Sequence, residues 1–562
     1  MVKDIILKYA LQNAVKFDGK ANPGAVIGKV LSENPDLRSK AQEVQKEIVG
    51  IVKDVNALSV EEQRKKLESL APELLKKKKV VKKQGLHSLE GVKGKVVMRF
   101  EPSPSGTLHI GHAYVLSLNS EFCRKYKGKL VVRIADTNPE KIYDKAYELI
   151  PKDAQWVTKD NVNEFVIQSD RLKLYYKYTE EVIKKGHAYV CTCKPEDFRE
   201  AMLKSIPCPC RQLSVKANLE RWKKMLSTYK DGEAVVRIKT DITHKNPAMR
   251  DWPALRINTK THHKQGKKYR VWPLMNFAVA VDDHELGVTH AIRAKEHMDN
   301  EKRQKYIYDY LGWKMPQHLY IGRINFTDLR VSSSKTRQLI GEGVYSGWDD
   351  IRLPFLGALR RRGYQPDAFI KYAVDVGVSQ NDKTVSGEEF FKSINAFNKD
   401  VIDDKSYRYF FIENPVEINV SMAPEQSIEL DLHPDNKKKG RKFKTKDRFY
   451  ITKGDYNKVK NNKMIRLMDC LNFVRKGGKL VFDSLDYNTF KDKGSWIIHW
   501  LPVEKGLVNV EVLMADGSVK KGLGEKGLKN LKVGDIIQLE RFSFVRLDKK
   551  EKDKLVFWCT HK

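Results

Sequence analysis

Apolar and polar positions alternate along this chain in three different rhythms. Residues 1 to about 92 keep a helical rhythm with dense charge, and Ser59 stands three residues before Glu62, the capping-box spacing that satisfies orphan amides at a helix start. From about 93 to 340, short apolar runs alternate with helical stretches. Lys95–Phe100 and Lys129–Asp136 read as buried parallel strands, with Ala113–Tyr126 as the helix between them, and Phe277–Val281 reads as a third strand ending at Asp282-Asp283. This succession predicts an α/β class: a Rossmann-like, doubly wound parallel sheet whose ligand lies beyond the C-terminal strand ends, where Arg99, Asp136 and Asp282 fall. A cysteine-rich, basic block at about 190–270 reads as an insertion into it. Residues 341–405 turn helical again, including Gly347–Arg352 and Leu359–Gly363. Beyond 406 the period becomes two, as in Val416–Val420 and Ile428–Leu432, and Asp516-Gly517 marks a tight hairpin before Val519. Many short strands with regular turns predict one or two β-barrels over 406–562.

Length and charge narrow the reading. A chain of 562 residues exceeds what one core supports, and 41% hydrophobic residues suffice for several cores. Lysine and arginine number 105 against 72 acids, a net charge of +33, which points to a polyanionic partner, nucleic acid ahead of a membrane surface. No uncharged apolar run reaches a membrane-spanning length, and the start MVKDIILKYAL lacks a signal-peptide pattern, so a cytoplasmic location is the expectation. Seven cysteines, unevenly placed, fit a reducing compartment better than a disulfide framework. The runs Lys76–Lys79, Lys82-Lys83 and Lys437–Lys446 are either solvated surface or contacts to phosphate.

The densest chemistry lies at Pro102-Ser103-Pro104-Ser105-Gly106 and the following His109-Ile110-Gly111-His112. A strand, a turn and a helix start make an anion-binding corner, because free backbone amides and the helix dipole meet there. Gly111 lets a ligand come close to the backbone, and the two histidines share one face if the helix has begun. A metal pair is the rival reading of the same spacing. Far downstream, Tyr320–Asn325 reads as a strand and turn, and Arg330-Val331-Ser332-Ser333-Ser334-Lys335 as a loop whose hydroxyls and ammonium can wrap a triphosphate.

In this combination and order the chain resembles the class I aminoacyl-tRNA synthetases, and within them the glutamyl enzymes of the archaeal and eukaryotic type. Asp136-Thr137-Asn138-Pro139, Ser169-Asp170-Arg171-Leu172, Thr289–His297, Asn398 with Asp403, and Thr560-His561 carry the resemblance from about residue 90 to the C-terminus. It implies an ATP-binding set of Ser105, His109, Gly111, His112, Arg323, Ile324, Ser332, Ser333, Ser334 and Lys335, with His109, His112 and Lys335 acting in catalysis. Arg99, Ser103, Asp136 and Arg293 are the implied glutamate contacts, Asp136 taking the ammonium; capping a turn is the alternative role for that residue. Arg293 favours glutamate, because an arginine buried beside a neutral amide is left uncompensated. The implied cofactor is ATP with Mg²⁺, and the implied partners are L-glutamate and its tRNA, with glutamine tRNA a further acceptor and a monomer the expected state. Two departures stand out. Ser333 occupies the usual lysine position of the second loop, and Trp272–Phe277 lacks an expected tyrosine. A glutaminyl enzyme and a non-catalytic RNA-binding derivative are the competing readings.

Cys191-Thr192-Cys193 and Cys208-Pro209-Cys210 can present four sulfurs to a structural Zn²⁺, with reduced thiols in a basic insert as the alternative.

Overall fold

The computed structural model describes residues 2–74, 85–435 and 439–562. The lysines at 76–79, 82–83 and 437–438 lie outside the described residues. The chain forms two compact units, Met1–Gln84 and Gly85–Lys562.

In the first unit, helices Val2–Lys16, Pro23–Glu33, Ala41–Asn56 and Val60–Leu70 bury Ile6, Leu11, Val26, Val30, Ile48 and Val52. The capping box is present: Ser59 Oγ accepts from the amide of Glu62, and the Glu62 carboxylate accepts from the amide of Ser59 at 2.8 Å.

The second unit is organised around a five-stranded, all-parallel sheet. Its spatial order is Glu164–Ile167, Lys129–Ile134, Val97–Phe100, His290–Ala294, Gln317–Ile321. From Val97–Phe100 the chain crosses through helix Ile110–Lys125 to one side of the sheet, while the later strands add on the other. The winding therefore reverses between Val97–Phe100 and His290–Ala294, and a crevice opens at the C-terminal ends of strands where the order reverses. Between them, Ala188–Cys191, Val235–Ile238, Pro253–Ile257 and Val271–Pro273 form a separate antiparallel sheet.

Two sequence expectations fail here. Phe277–Val281 is not a strand; it lies within helix Met275–Glu285. Residues 277–283 are all buried, so the run 277–281 is covered on every side and carries no amphipathic rhythm. Gly347–Arg352 is a series of turns instead of a helix. The Asp350 carboxylate accepts from the amides of Ser346 and Arg352, an alternative to the helical ladder. The neighbouring expectation holds as helix Leu356–Arg362.

Beyond residue 405 the described residues form two seven-stranded sheets and a two-stranded one, Gln426–Asp431 with Lys439–Thr445. One seven-stranded sheet has Arg408–Tyr409 at one edge and Phe411–Glu413 at the other, so a single residue, Phe410, joins opposite edges. The other has Gly494–Ile498 and Leu501–Pro502 at its edges, joined by His499 and Trp500. At roughly 3.3–3.6 Å per residue such joints hold the edges together, so each sheet curls round as a barrel. The hairpin at Asp516-Gly517 links Val508–Leu513 to Val519–Gly524, with Gly517 at φ +89°.

Candidate active site

The anion-binding corner is built from the start of helix Ile110–Lys125. His109 caps it, its Nδ1 accepting from the amide of Gly111 at 3.1 Å, and His112 Nδ1 accepts from the amide of His109 at 3.3 Å. The rings stack with centroids 3.7 Å apart. Because both Nδ1 atoms accept, both protons of the neutral rings sit on Nε2. Burial, reinforced at His109 by its neighbour's charge, holds both pKa values below the ordinary histidine range, His112 at about 4. The corner therefore carries two neutral N–H donors and no fixed charge. It is anchored to the chain beyond residue 353: Ile110 N–H donates to Pro354 O at 3.1 Å, and Leu356 N–H to Leu108 O at 2.9 Å.

A cavity of about 870 Å³ opens at this corner. Its wall includes His109, Gly111 and His112 from the helix start, Arg99 and Ser103 from the first strand and its turn, Arg293 from the strand across the reversal, and Arg323, Ile324 and Ser332 from downstream. Ser105, Asp136, Ser333, Ser334 and Lys335 are not on the wall.

The excluded residues have physical reasons. Asp136 is 1% exposed, and its carboxylate accepts from the Ser169 amide, the Ser169 hydroxyl and the Tyr147 hydroxyl, each at 2.7 Å. Its lone pairs are thereby engaged inside the protein by Ser169 and Tyr147, residues distant in sequence, and not by the turn that follows it. The expected serine–lysine loop is the first turn of helix Ser333–Gly341, and the exposed Lys335 ammonium donates to Gln338 at 3.0 Å. The two distant motifs do meet. A Cβ on Gly106 would come 2.5 Å from Trp348 and 2.9 Å from Ser333 Cβ, so only glycine permits this approach.

The cavity's cationic end rests on a buried charge cluster. Asp283, on helix Met275–Glu285, accepts from Arg133 at 2.7 Å and from Arg99 at 3.3 and 3.4 Å, with Arg293 at 3.7 Å. Glu101 pairs with Arg133 at 2.9 Å, and Asp282 with Arg171 at 2.7 Å. Despite burial, the surrounding guanidinium groups hold the Asp283 carboxyl far below the usual carboxylate range. Arg99, Arg133, Arg171 and Arg293 lie among the carboxylates of Asp283, Glu101 and Asp282, and Glu301 is also within electrostatic reach of Arg293. Arg293 meets its carboxylate at the longest distance of the set, its Nε is buried without a hydrogen-bond partner, as are Arg133 Nε and Arg171 Nη2, and burial and the Arg99 charge lower its pKa to about 10. An anionic ligand group would complete this site.

Residues 95–404 match the family of "tRNA synthetases class I (E and Q), catalytic domain", and residues 406–484 and 497–548 match its two anti-codon binding domains. The chain belongs to the class I tRNA synthetases of the E and Q group. Along its whole length this synthetase is 48% identical to a glutamate–tRNA ligase of Pyrococcus abyssi and 46% identical to one of Methanocaldococcus jannaschii, with 100% of each chain covered in both cases. A glutamate tRNA ligase of Elizabethkingia meningosepticum, solved with its amino acid, aligns at 19% identity and a TM-score of 0.40 over 56% of this chain and 70% of that one.

In the synthetase's inserted sheet, the Sγ atoms of Cys191, Cys193, Cys208 and Cys210 all lie within 4.8 Å of one another. Cys191 and Cys208 are 3.9 Å apart, Cys193 and Cys210 3.7 Å. Sulfurs at ~2.3 Å from a tetrahedral zinc are separated by about 3.8 Å, so the four thiols fit that ion. Cys208 is further held by the Tyr189 hydroxyl, itself hydrogen-bonded to buried Asp251 at 2.9 Å.

Sequence reasoning missed Arg133, Glu101, Asn300 and Gln304, and it misplaced Asp282-Asp283 on a strand. An arginine inside the apolar run Lys129–Ile134 was the available signal, since a strand buried on both faces tolerates a guanidinium only beside buried carboxylates.

Proposed function

We infer that this synthetase ligates L-glutamate to the 3′ end of its tRNA in two steps. The α-carboxylate of glutamate attacks the α-phosphorus of ATP, giving glutamyl-adenylate as pyrophosphate leaves. A ribose hydroxyl of the tRNA's terminal adenosine then attacks the carbonyl carbon, and AMP leaves. The observation that carries the choice of amino acid is the Arg293 guanidinium, on the wall of the same cavity as the two histidines, with its Nε unpartnered and its nearest carboxylate, Asp283, at 3.7 Å and shared with Arg99 and Arg133. A γ-carboxylate pairs directly with this cation, whereas the amide of glutamine brings it no negative charge.

His109 and His112 donate from Nε2 to the phosphates as negative charge shifts toward the leaving pyrophosphate, and preorganised neutral donors serve that role without reorganisation. Arg323 and Ile324 flank the adenine, and Ser332 faces the phosphates from the cavity wall. Arg99 and Ser103 help hold glutamate, and Asp136 supports its ammonium through Ser169 and Tyr147. Mg²⁺ enters with ATP as the counter-ion of its phosphates. The four cysteines hold a structural Zn²⁺ that fixes the insertion, which receives the acceptor end of the tRNA, while the barrels of 406–562 read the anticodon. The enzyme works as a cytoplasmic monomer and accepts glutamine tRNA as a second glutamyl acceptor.

The test is tRNA-dependent ATP–pyrophosphate exchange with glutamate and glutamine in separate reactions, followed by charging of each tRNA. Exchange with glutamate alone is the expected result. Exchange with glutamine alone, or with neither amino acid, overturns the assignment.

A further inference from the structure

Helix Met298–Leu311 carries two amides on its buried stripe, Asn300 and Gln304, where packing would favour apolar side chains. Gln304 is 1% exposed. Its Oε1 accepts from Arg293 Nη2 at 2.7 Å, and its Nε2 donates to Asn276 Oδ1 at 3.1 Å. Asn276 Nδ2 donates in turn to Asn300 Oδ1 at 3.3 Å, which also accepts from Arg303 Nη1 at 3.0 Å. A guanidinium only donates, so Arg293 at one end and Arg303 at the other both require an oxygen facing them. The amide orientations between are thereby fixed, with donation from both ends converging on Asn300 Oδ1.

We propose that Gln304 is the positioning residue for glutamate selection: a neutral acceptor that aims the Arg293 guanidinium at the cavity without cancelling its charge. The proposal rests on the reading of Arg293 as the partner of the substrate's γ-carboxylate. Holding a buried arginine requires an acceptor, and the usual choice is a carboxylate. A carboxylate here would compensate the cation before substrate arrived. The nearest one, Asp283 at 3.7 Å, is already shared with Arg99 and Arg133. An amide supplies the geometry and leaves the charge for the ligand. Asn276 and Asn300 then keep the Gln304 oxygen, and not its nitrogen, turned toward Arg293.

Two near-isosteric variants separate positioning from packing. Gln304→Glu keeps the shape and the hydrogen bond and adds the charge; Gln304→Met keeps the volume and removes the acceptor. In exchange assays with tRNA, Gln304→Glu is expected to raise the KM for glutamate roughly 10- to 100-fold and to lower the glutamate-over-glutamine ratio of kcat/KM by a similar factor, with the KM for ATP within about twofold of the parent. Gln304→Met is expected to raise the glutamate KM about tenfold while the preference for glutamate persists, because the charge remains. A purely structural Gln304 predicts no change in the ratio for either variant, and an unchanged ratio and glutamate KM in Gln304→Glu overturn the proposal. If Arg293→Leu leaves glutamate use intact, the reading of Arg293 fails, and this inference with it. If Arg293→Leu abolishes glutamate use while Gln304→Glu behaves as parent, only the role of Gln304 fails.

Discussion

Replacing Asp283 by asparagine should loosen the whole crevice floor, and the size of the effect follows from what the carboxylate holds. It accepts hydrogen bonds from Arg133 at 2.7 Å and Arg99 at 3.3 and 3.4 Å, with Arg293 at 3.7 Å, and it is almost completely buried. An asparagine keeps the shape but removes the negative charge that Arg99, Arg133 and Arg293 share. Removing one partner from a buried ionic cluster costs about 3–5 kcal/mol. A chain of several cores does not unfold in one step, so the suitable assay is native-state amide exchange of the full chain, read on peptides covering Val97–Phe100, Lys129–Ile134 and His290–Ala294. At ~1.4 kcal/mol per decade, exchange there should accelerate roughly 10²- to 10³-fold or more, with little change in the barrels. The pH dependence has a definite sign. The folded pKa of Asp283 is depressed, so its contribution is fully present above the unfolded carboxyl value of about 3.9 and is lost as pH falls below it. The penalty should therefore be the same at pH 5 and pH 8 and shrink only in stronger acid. Acceleration below about threefold at neutral pH would refute the claim that this carboxylate holds the floor together.

His112→Ala should lower the rate of pyrophosphate exchange about 10²-fold, the scale of losing one preorganised donor, while tRNA affinity measured by filter binding stays within threefold or so. Because burial holds the His112 pKa at about 4 and His109 below its ordinary range, the exchange rate between pH 5.5 and 7.5 should show no inflection that His112→Ala removes. Gly106→Ala drives a methyl group into Trp348 and Ser333 and should raise the KM for ATP about tenfold, with partial recovery when Trp348→Ala is added. Metal analysis of tag-free protein should find stoichiometric zinc, lost in Cys208→Ser; a zinc-free parent would exclude the metal site.

Period and punctuation made the first two parallel strands, the histidine corner, the capping box at Ser59 and many of the barrel strands legible. Each is a local pattern: an apolar run, a Pro/Ser/Gly turn, a two-residue alternation. The cationic end of the cavity was half legible. Arg99 and Arg293 were expected there, but Arg133, Glu101 and Gln304 were not, because their meaning depends on which helix covers the sheet. That helix, Met275–Glu285, is the segment read as a strand. A five-residue apolar run has no rhythm of its own, and burial on every side erases the amphipathic signal that marks most helices. Asp136 sits near a strand end, as expected, yet its hydrogen bonds go to Ser169 and Tyr147, partners that spacing does not reveal.

The joint at Phe410 sets an order on synthesis. Arg408–Tyr409 pairs with Ile536–Leu539, and Phe411–Glu413 with Val519–Gly524, so these two short strands leave the ribosome long before either neighbour exists. Residues 415–502, which fold as the other barrel, are made in the interval. At about 5–20 residues per second the wait lasts roughly 5–20 s. The inner barrel can therefore assemble on the nascent chain while 408–413 remains an open edge, and the outer one closes last. Slowing translation downstream of codon 502 should lengthen the exposure of that edge and, with it, the window for aggregation or chaperone capture.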